Sequence, residues 1–182
     1  LINSEEALKK VLTLPFSTVL DLGAGEGKHS QVFRQYGKEV TELRYEDGDY
    51  MGKLYPEFDC IWASHVLEHV LNPHAFLRKS FTDLKEGGIL AITVPPAKSE
   101  IVGGHVSIWN AGLLLYHLIL AGFDCSSAMV KTYGYNISVI VRKKKAVLPA
   151  ISMDFGDIEK LSHFFPFEAK HGFNGEILEI NW

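Results

Sequence analysis

Apolar and polar positions change rhythm along the chain and predict strands and helices in alternation. Thr18 to Leu22 is a short apolar run and reads as a buried strand. Lys28 to Tyr36 puts Val32, Phe33 and Tyr36 on one face of a helix, with Gly37 as its C-terminal cap. Glu39 to Arg44 alternates with period two, like a second strand. Phe58 to Ala63 is the next apolar run. Asn72-Pro73 supplies a cap and a proline at the first helical position. That helix runs to Leu84 with Phe76, Leu77, Phe81 and Leu84 inward and Gly87 closing it. Ile89 to Val94 reads as a buried strand stopped by Pro95-Pro96, and Ala97 to His105 as a loop. Asn110 to Ala121 is a very apolar helix, and Ala128 to Tyr133 with Ile137 to Arg142 form a hairpin around Gly134. Ahead of all these, Ser4 followed by Glu5 and Glu6 predicts a capped short helix to Thr13, acids at its positive end.

Strands and helices in that order predict an α/β fold: a Rossmann-like, mostly parallel sheet with helices on both faces. The final hairpin adds an antiparallel strand at one edge. Tyr45 to Pro56 has room for little more than a loop or one short turn, so the fold is shortened between its second strand and the strand at Phe58. Residues 1–143 then make one domain, N-terminal helix included. Residues 144–182 carry Phe155, Phe164, Phe165, Phe167, Phe173 and Trp182, too aromatic for a disordered tail. This extension is expected to pack on the same domain as a strap, with an acceptor-site cover or a homodimer contact as the sharper readings.

Composition narrows the classes. A chain of 182 residues, 47% hydrophobic and 22% charged, suits one soluble α/β domain. A net charge of −4 offers no basic face, so nucleic acid is not an expected partner. The longest apolar helix, Ala111 to Gly122, is too short to span a bilayer and carries His117, so no membrane is expected. Leu1 to Thr13 is charged and helical in pattern, unlike a signal peptide. Cys60 and Cys125 form neither a disulfide framework nor a zinc spacing, which fits a reducing cytoplasm. His29, His74, His117, His163 and His171 show no metal-ligand spacing, and no metal is expected.

The stretch with most chemistry is Val19-Leu20-Asp21-Leu22-Gly23-Ala24-Gly25-Glu26-Gly27. Its glycines fall on a strand-to-helix turn at the carboxyl end of a strand, where open α/β sheets bind ligands. Glycine there permits positive φ and lets a ligand lie against the backbone. A dinucleotide fingerprint would need glycine at Lys28 or Ser30. A P-loop would need glycine at Leu22 and serine or threonine at His29. What remains is D-x-G-x-G-x-G at Asp21, Gly23, Gly25 and Gly27. A strand-end carboxylate suits a ligand with an ammonium and a cationic sulfur, and repels a pyrophosphate.

That motif resembles the first motif of the class I S-adenosylmethionine-dependent methyltransferases. Glu57 to Pro73, with Val66-Leu67-Glu68-His69-Val70 and Asn72-Pro73, resembles the fourth strand and following turn of their small-molecule, ubiquinone-biosynthesis-like branch. Leu84 to Pro95 is similar to the fifth strand, and Gly104-His105-Val106-Ser107-Ile108-Trp109 through Ala121-Gly122-Phe123 to the segment after it. The likeness runs in order from about residue 17 to 143. It implies S-adenosyl-L-methionine as cofactor and a small-molecule acceptor, a sugar or sugar nucleotide among the options, methylated at a hydroxyl, amine or carbon. It places Asp21, Gly23, Ala24, Gly25, Gly27, Ser64 and His65 around the cofactor. In the family the ribose acid ends the second strand, a position that here falls on Arg44. Glu42 and Glu46 share its parity and are the candidates for the ribose, with Asp47 nearby. Asp49 resembles the family's adenine-contacting element, which makes Tyr50 and Met51 adenine-facing.

Methyl transfer from a sulfonium is mainly a matter of alignment, and a base is needed only for a protonated nucleophile. The candidates are His105, on the loop that lines the family's acceptor pocket, then His69 and His65. Two other readings stay open: a non-catalytic cofactor-binding or regulatory domain of a biosynthetic protein, and an NAD-dependent oxidoreductase.

Overall fold

A computed structural model of the chain describes residues 3–182. In chain order it contains α1 (Glu5–Leu12), β1 (Thr18–Leu22), α2 (Lys28–Gln35), β2 (Glu39–Leu43), β3 (Phe58–Ser64), α3 (Pro73–Asp83), β4 (Leu84–Val94), α4 (Ala111–Leu120), β5 (Met129–Tyr133), β6 (Asn136–Arg142), α5 (Asp157–Leu161) and β7 (Glu179–Ile180). The strands form one sheet in the order β2-β1-β3-β4-β6-β5-β7. β1 to β4 run parallel, and β6, β5 and β7 continue the sheet antiparallel. This is the Rossmann-like architecture the sequence predicts.

Side-chain alternation sorts the strands onto two faces. Leu20, Leu22, Ile61, Ala63, Leu90 and Ile92 point to the side covered by α3 and α4. Val19, Cys60, Trp62, Ile89 and Ala91 point to the side covered by α1 and α2, where Phe33 stands edge-on to Trp62. Both strand faces are buried, as a parallel sheet between helix layers requires. Its carboxyl ends are left to the loops.

Four local expectations need correction. Ser4 does not cap α1 through its side chain. Its backbone is left-handed (φ 60°), and its buried hydroxyl lies 2.6 Å from that of Ser64, at the tip of β3. Gly87 does not close α3, which ends at Asp83. With φ 73° it lies in the irregular start of β4, where its N–H donates to the Lys143 carbonyl. The shortened middle holds two short turns rather than at most one: Tyr45–Asp47 and Tyr50–Gly52 are single 3₁₀ turns, and β2 is left as the sheet edge. Ala128 lies just outside the hairpin, whose first strand starts at Met129.

The aromatic extension packs on its own chain. Leu161, Phe164, Phe165 and Ala169 join the core on the α3/α4 side, and Phe165, Phe167 and Phe173 form an aromatic cluster. β7 pairs with β5 at the other sheet edge, and the Gly175 carbonyl accepts from Gly112 N–H at the start of α4. Among the described residues no helix is long and apolar enough to cross a membrane.

Candidate cofactor and acceptor site

The three glycines after β1 do three different jobs. All have positive φ: 71°, 51° and 73° at Gly23, Gly25 and Gly27. A Cβ on Gly23 would meet the Val66 side chain at 2.5 Å, so this glycine permits packing against the turn after β3. A Cβ on Gly27, which opens α2, would come within 3.3 Å of the Glu42 carboxylate. Over Gly25 nothing but the Gly23 carbonyl lies within 4 Å. That open space above a left-handed glycine is a cradle a side chain would fill. The Leu43 carbonyl pins the turn by accepting from the N–H groups of Gly23 and Ala24.

Asp21 is buried beneath this turn. Its carboxylate accepts the Ser30 hydroxyl at 2.6 Å, tying β1 to α2. Burial pushes its carboxyl up to about 6, with Glu42 adding to the effect and Ser30 and Arg34 opposing it. Glu42 stands beside Asp21 in register and is gripped from two sides, by Arg34 at 2.7 Å and Arg44 at 2.7 Å. Those hydrogen bonds hold its carboxyl below the usual range. Arg44, at the position of the family's ribose acid, therefore points its charge at a neighbouring acid. Asp47 accepts from the Arg44 backbone N–H, Asp49 from that of Met51, and Glu46 is exposed.

Tyr50 is not adenine-facing. Its ring is buried against Phe76 and Tyr55, and its hydroxyl donates to Asp83 at 2.8 Å. Met51 remains partly exposed beside it. The apolar character of Tyr50 serves the core under the missing strand, a role its sequence context does not distinguish from ligand contact.

On the other side of β3 the structure gathers His65, Glu68, His69 and His105. His65 adopts φ 54°, and Nε2 donates to Asn136 Oδ1 at 2.9 Å while Nδ1 faces Glu68 Oε1 at 3.3 Å. Burial lowers its proton affinity, but the Glu68 and Asn136 contacts outweigh burial and raise it. Nε2 is thus spent on Asn136, and Nδ1 is turned toward Glu68. Ser64 spends its hydroxyl on Ser4. Glu68 is fully buried rather than a surface acid. His69 Nδ1 donates to the Gly104 carbonyl at 2.8 Å, and its ring stands edge-on to His105 at 4.9 Å. Glu68, His69 and His105 offer ligand atoms all within 4.8 Å of one another, a grouping that linear spacing of histidines conceals. Trp109 is core, its indole N–H donating to Ser107.

His105 also lines a small cleft of about 40 Å³ together with Pro95, Lys98, Ile101, Ser107 and Tyr135. The Lys98 ammonium sits 4.2 Å from the Tyr135 ring centre, and Tyr135 stacks on His65. Sequence reasoning missed Lys98, Tyr135 and Asn136. Only the tertiary approach of the β5–β6 turn to the β4 loop brings them to the site.

A family model described as "Methyltransferase domain" matches residues 4–119, well over half of the chain. The chain belongs to that family. It is a methyltransferase with S-adenosyl-L-methionine as cofactor. No curated protein matches this methyltransferase in sequence. Among solved structures it is similar to the 1,6-didemethyltoxoflavin-N1-methyltransferase of Burkholderia thailandensis, bound to its substrate and S-adenosylhomocysteine. That likeness has 18% identity, 78% of each chain covered and a TM-score of 0.64. A SAM-dependent methyltransferase from Archaeoglobus fulgidus is 16% identical over 76% of this chain and 92% of its own, with a TM-score of 0.61. The cyclase SpnF is 24% identical over 65% of this chain, with a TM-score of 0.55, and the chain spans 56% of its length. These likenesses share the methyltransferase's fold. The family match replaces the NAD-dependent reading.

Proposed function

We propose that this methyltransferase moves the S-adenosylmethionine methyl group to a small-molecule acceptor in the cleft beside His105. The acceptor atom is a hydroxyl, amine or carbon, and a sugar or sugar nucleotide fits the reading. One observation carries it: the open cradle over Gly25 and the His105 cleft lie at the same sheet end, so cofactor and acceptor can meet there. Gly23, Ala24, Gly25 and Gly27 present backbone to the cofactor's amino-acid part, and Asp21 offsets its ammonium. Glu42, held by its two arginines, takes the ribose. Asp49 and Met51 border the adenine. The ordered motifs of the ubiquinone-biosynthesis-like branch favour a small acceptor over a macromolecule. Two buried free cysteines suit action in the cytoplasm. The extension, spent on its own sheet edge and core, favours a strap over a dimer contact.

Calorimetric titration with S-adenosylmethionine, S-adenosylhomocysteine and NAD, followed by transfer of labelled methyl into acceptor extracts, tests the reading. Binding of the two sulfur cofactors with label transfer to a small molecule is expected. Binding without transfer to any small-molecule pool refutes the acceptor reading, and NAD binding alone refutes the site assignment.

A further inference from the structure

Glu68 presents a physical problem. Its carboxylate is fully buried, neither oxygen has a hydrogen bond, and among the described residues no lysine or arginine pairs with it. A buried carboxylate without such partners costs several kcal/mol unless a cation compensates. The nearest basic group is His65, whose Nδ1 lies 3.3 Å from Oε1 but not in hydrogen-bonding alignment. That leaves the second oxygen unmatched.

The two other groups around it are arranged as metal ligands are. The Gly104 carbonyl can only accept, so His69 carries its proton on Nδ1 and keeps its lone pair on Nε2. Nε2 is the atom turned toward Glu68, 3.9 Å from Oε1. A ligating histidine typically donates its remote N–H to a carbonyl or carboxylate in this way, which fixes tautomer and ring orientation. His105 arrives from the loop after β4, and its ligand atom lies within 4.8 Å of those of Glu68 and His69. The Glu68 carbonyl accepts the Val106 N–H at 2.8 Å, which fastens this loop to the turn that carries Glu68.

We propose that Glu68, His69 and His105 bind one divalent transition-metal ion of the zinc class, with an open coordination position toward the acceptor cleft. Two imidazole nitrogens and one carboxylate oxygen suit zinc, cobalt or nickel, and not magnesium or calcium, which prefer oxygen. Three protein ligands leave a fourth position for water or substrate. His105 also lines the cleft, so that position is reachable from it. His65 then becomes the outer partner that orients the Glu68 carboxylate, itself held by Asn136.

What the ion does rests on the methyl-transfer reading; its binding does not. An acceptor hydroxyl on the ion loses its proton to solvent more readily. The resulting oxyanion attacks the methyl carbon, the carbon–sulfur pair returns to sulfur, and the products are a methyl ether, a neutral thioether and one proton. His105 on this account is a ligand, not a base.

The test uses the full chain after chelator treatment and dialysis. Zinc chloride is titrated calorimetrically, and cobalt(II) is followed by the visible absorption of a four- or five-coordinate ion. One equivalent of either metal is expected, with no response to magnesium. His105→Ala, on a loop, and Glu68→Gln, which keeps shape, should each weaken binding at least about tenfold, while His171→Ala should not. Circular dichroism confirms folding of each variant, and His105→Ala decides if Glu68→Gln unfolds. S-adenosylhomocysteine titrated into the metal-free protein reports on the methyltransferase reading separately. Absence of a stoichiometric site in the parent, or affinity unchanged in His105→Ala, overturns the proposal whatever the cofactor titration gives.

Discussion

Ser30 donates its hydroxyl to the buried carboxylate of Asp21 across 2.6 Å, the one side-chain hydrogen bond among the described residues that offsets a charge held beneath the glycine turn. Burial raises the Asp21 carboxyl to about 6 from 3.8. The folded state therefore keeps this proton to higher pH than the unfolded state does. Stability is full below the unfolded value and falls as pH rises through the window up to about 6, by about 3 kcal/mol at most. Asp21→Asn retains an acceptor for Ser30 and removes the charge. It should melt above the parent at pH 7.5 and alongside it near pH 4. Its affinity for S-adenosylhomocysteine should drop roughly tenfold through loss of a charge-assisted contact. Melting curves across that range check the first part. A gap independent of pH would mean that folding does not shift the Asp21 carboxyl.

Gly23 and Gly25 should separate fold from function. Gly23→Ala forces a methyl group to 2.5 Å from Val66 at φ 71° and should lower the melting temperature markedly. Gly25→Val meets open space, so it carries only the strain of a left-handed β-branched residue, about 1–3 kcal/mol. It should fold and fail to bind S-adenosylhomocysteine. Normal binding by Gly25→Val would move the cofactor off this turn.

Tyr50→Phe tests the reassignment of Tyr50 from adenine to core. The variant loses the bond to Asp83, which keeps Lys79 at 2.9 Å. Destabilisation of about 1–2 kcal/mol with unchanged cofactor affinity is expected. Denaturant titration and calorimetry read the two quantities independently, and a selective loss of affinity would restore Tyr50 to the adenine site.

Glu42→Gln addresses the ribose. Its three hydrogen bonds to Arg34 and Arg44 leave the carboxylate room for one more donor. The substitution should cut S-adenosylhomocysteine affinity roughly tenfold, and Glu46→Gln should not. The reverse pattern would give the ribose to Glu46.

The strands and helices were legible because their hydrophobic periods are clean, and the glycine turn because its spacing rejects two competing phosphate motifs residue by residue. The shortened middle was legible as a count of residues, although the fate of Tyr50 was not. An aromatic beside a cofactor motif looks the same in sequence whether it lines a pocket or replaces a missing element in the core. The Glu68 cluster was hidden for a different reason. Glu68 and His69 sit next to each other, but the third member lies on another loop, and nothing local marks Glu68 as buried. Ser4 illustrates the same limit: its sequence context reads as a helix cap, while a contact with Ser64 sixty residues away decides its conformation.

Gly112→Ala probes how firmly the aromatic extension is held. In an isolated helix the change is favourable by about 1 kcal/mol, since alanine loses less backbone freedom. Here a Cβ would lie 2.6 Å from the Phe173 ring and 2.7 Å from Gly175 Cα, and the latter is backbone that cannot swing aside. Overpacking of this kind costs about 1–3 kcal/mol, so the clash should win. The new methyl also pushes away the Gly175 carbonyl that accepts the Gly112 N–H at 2.8 Å. The expected result is a lower melting temperature and faster proteolysis near the exposed Val147, Met153 and Phe155. Affinity for S-adenosylhomocysteine should stay unchanged, because the glycine turn is built on β1 and α2 and owes nothing to the strap. A rise in melting temperature equal to the helix gain would show that residues 173–175 do not press on α4 in solution.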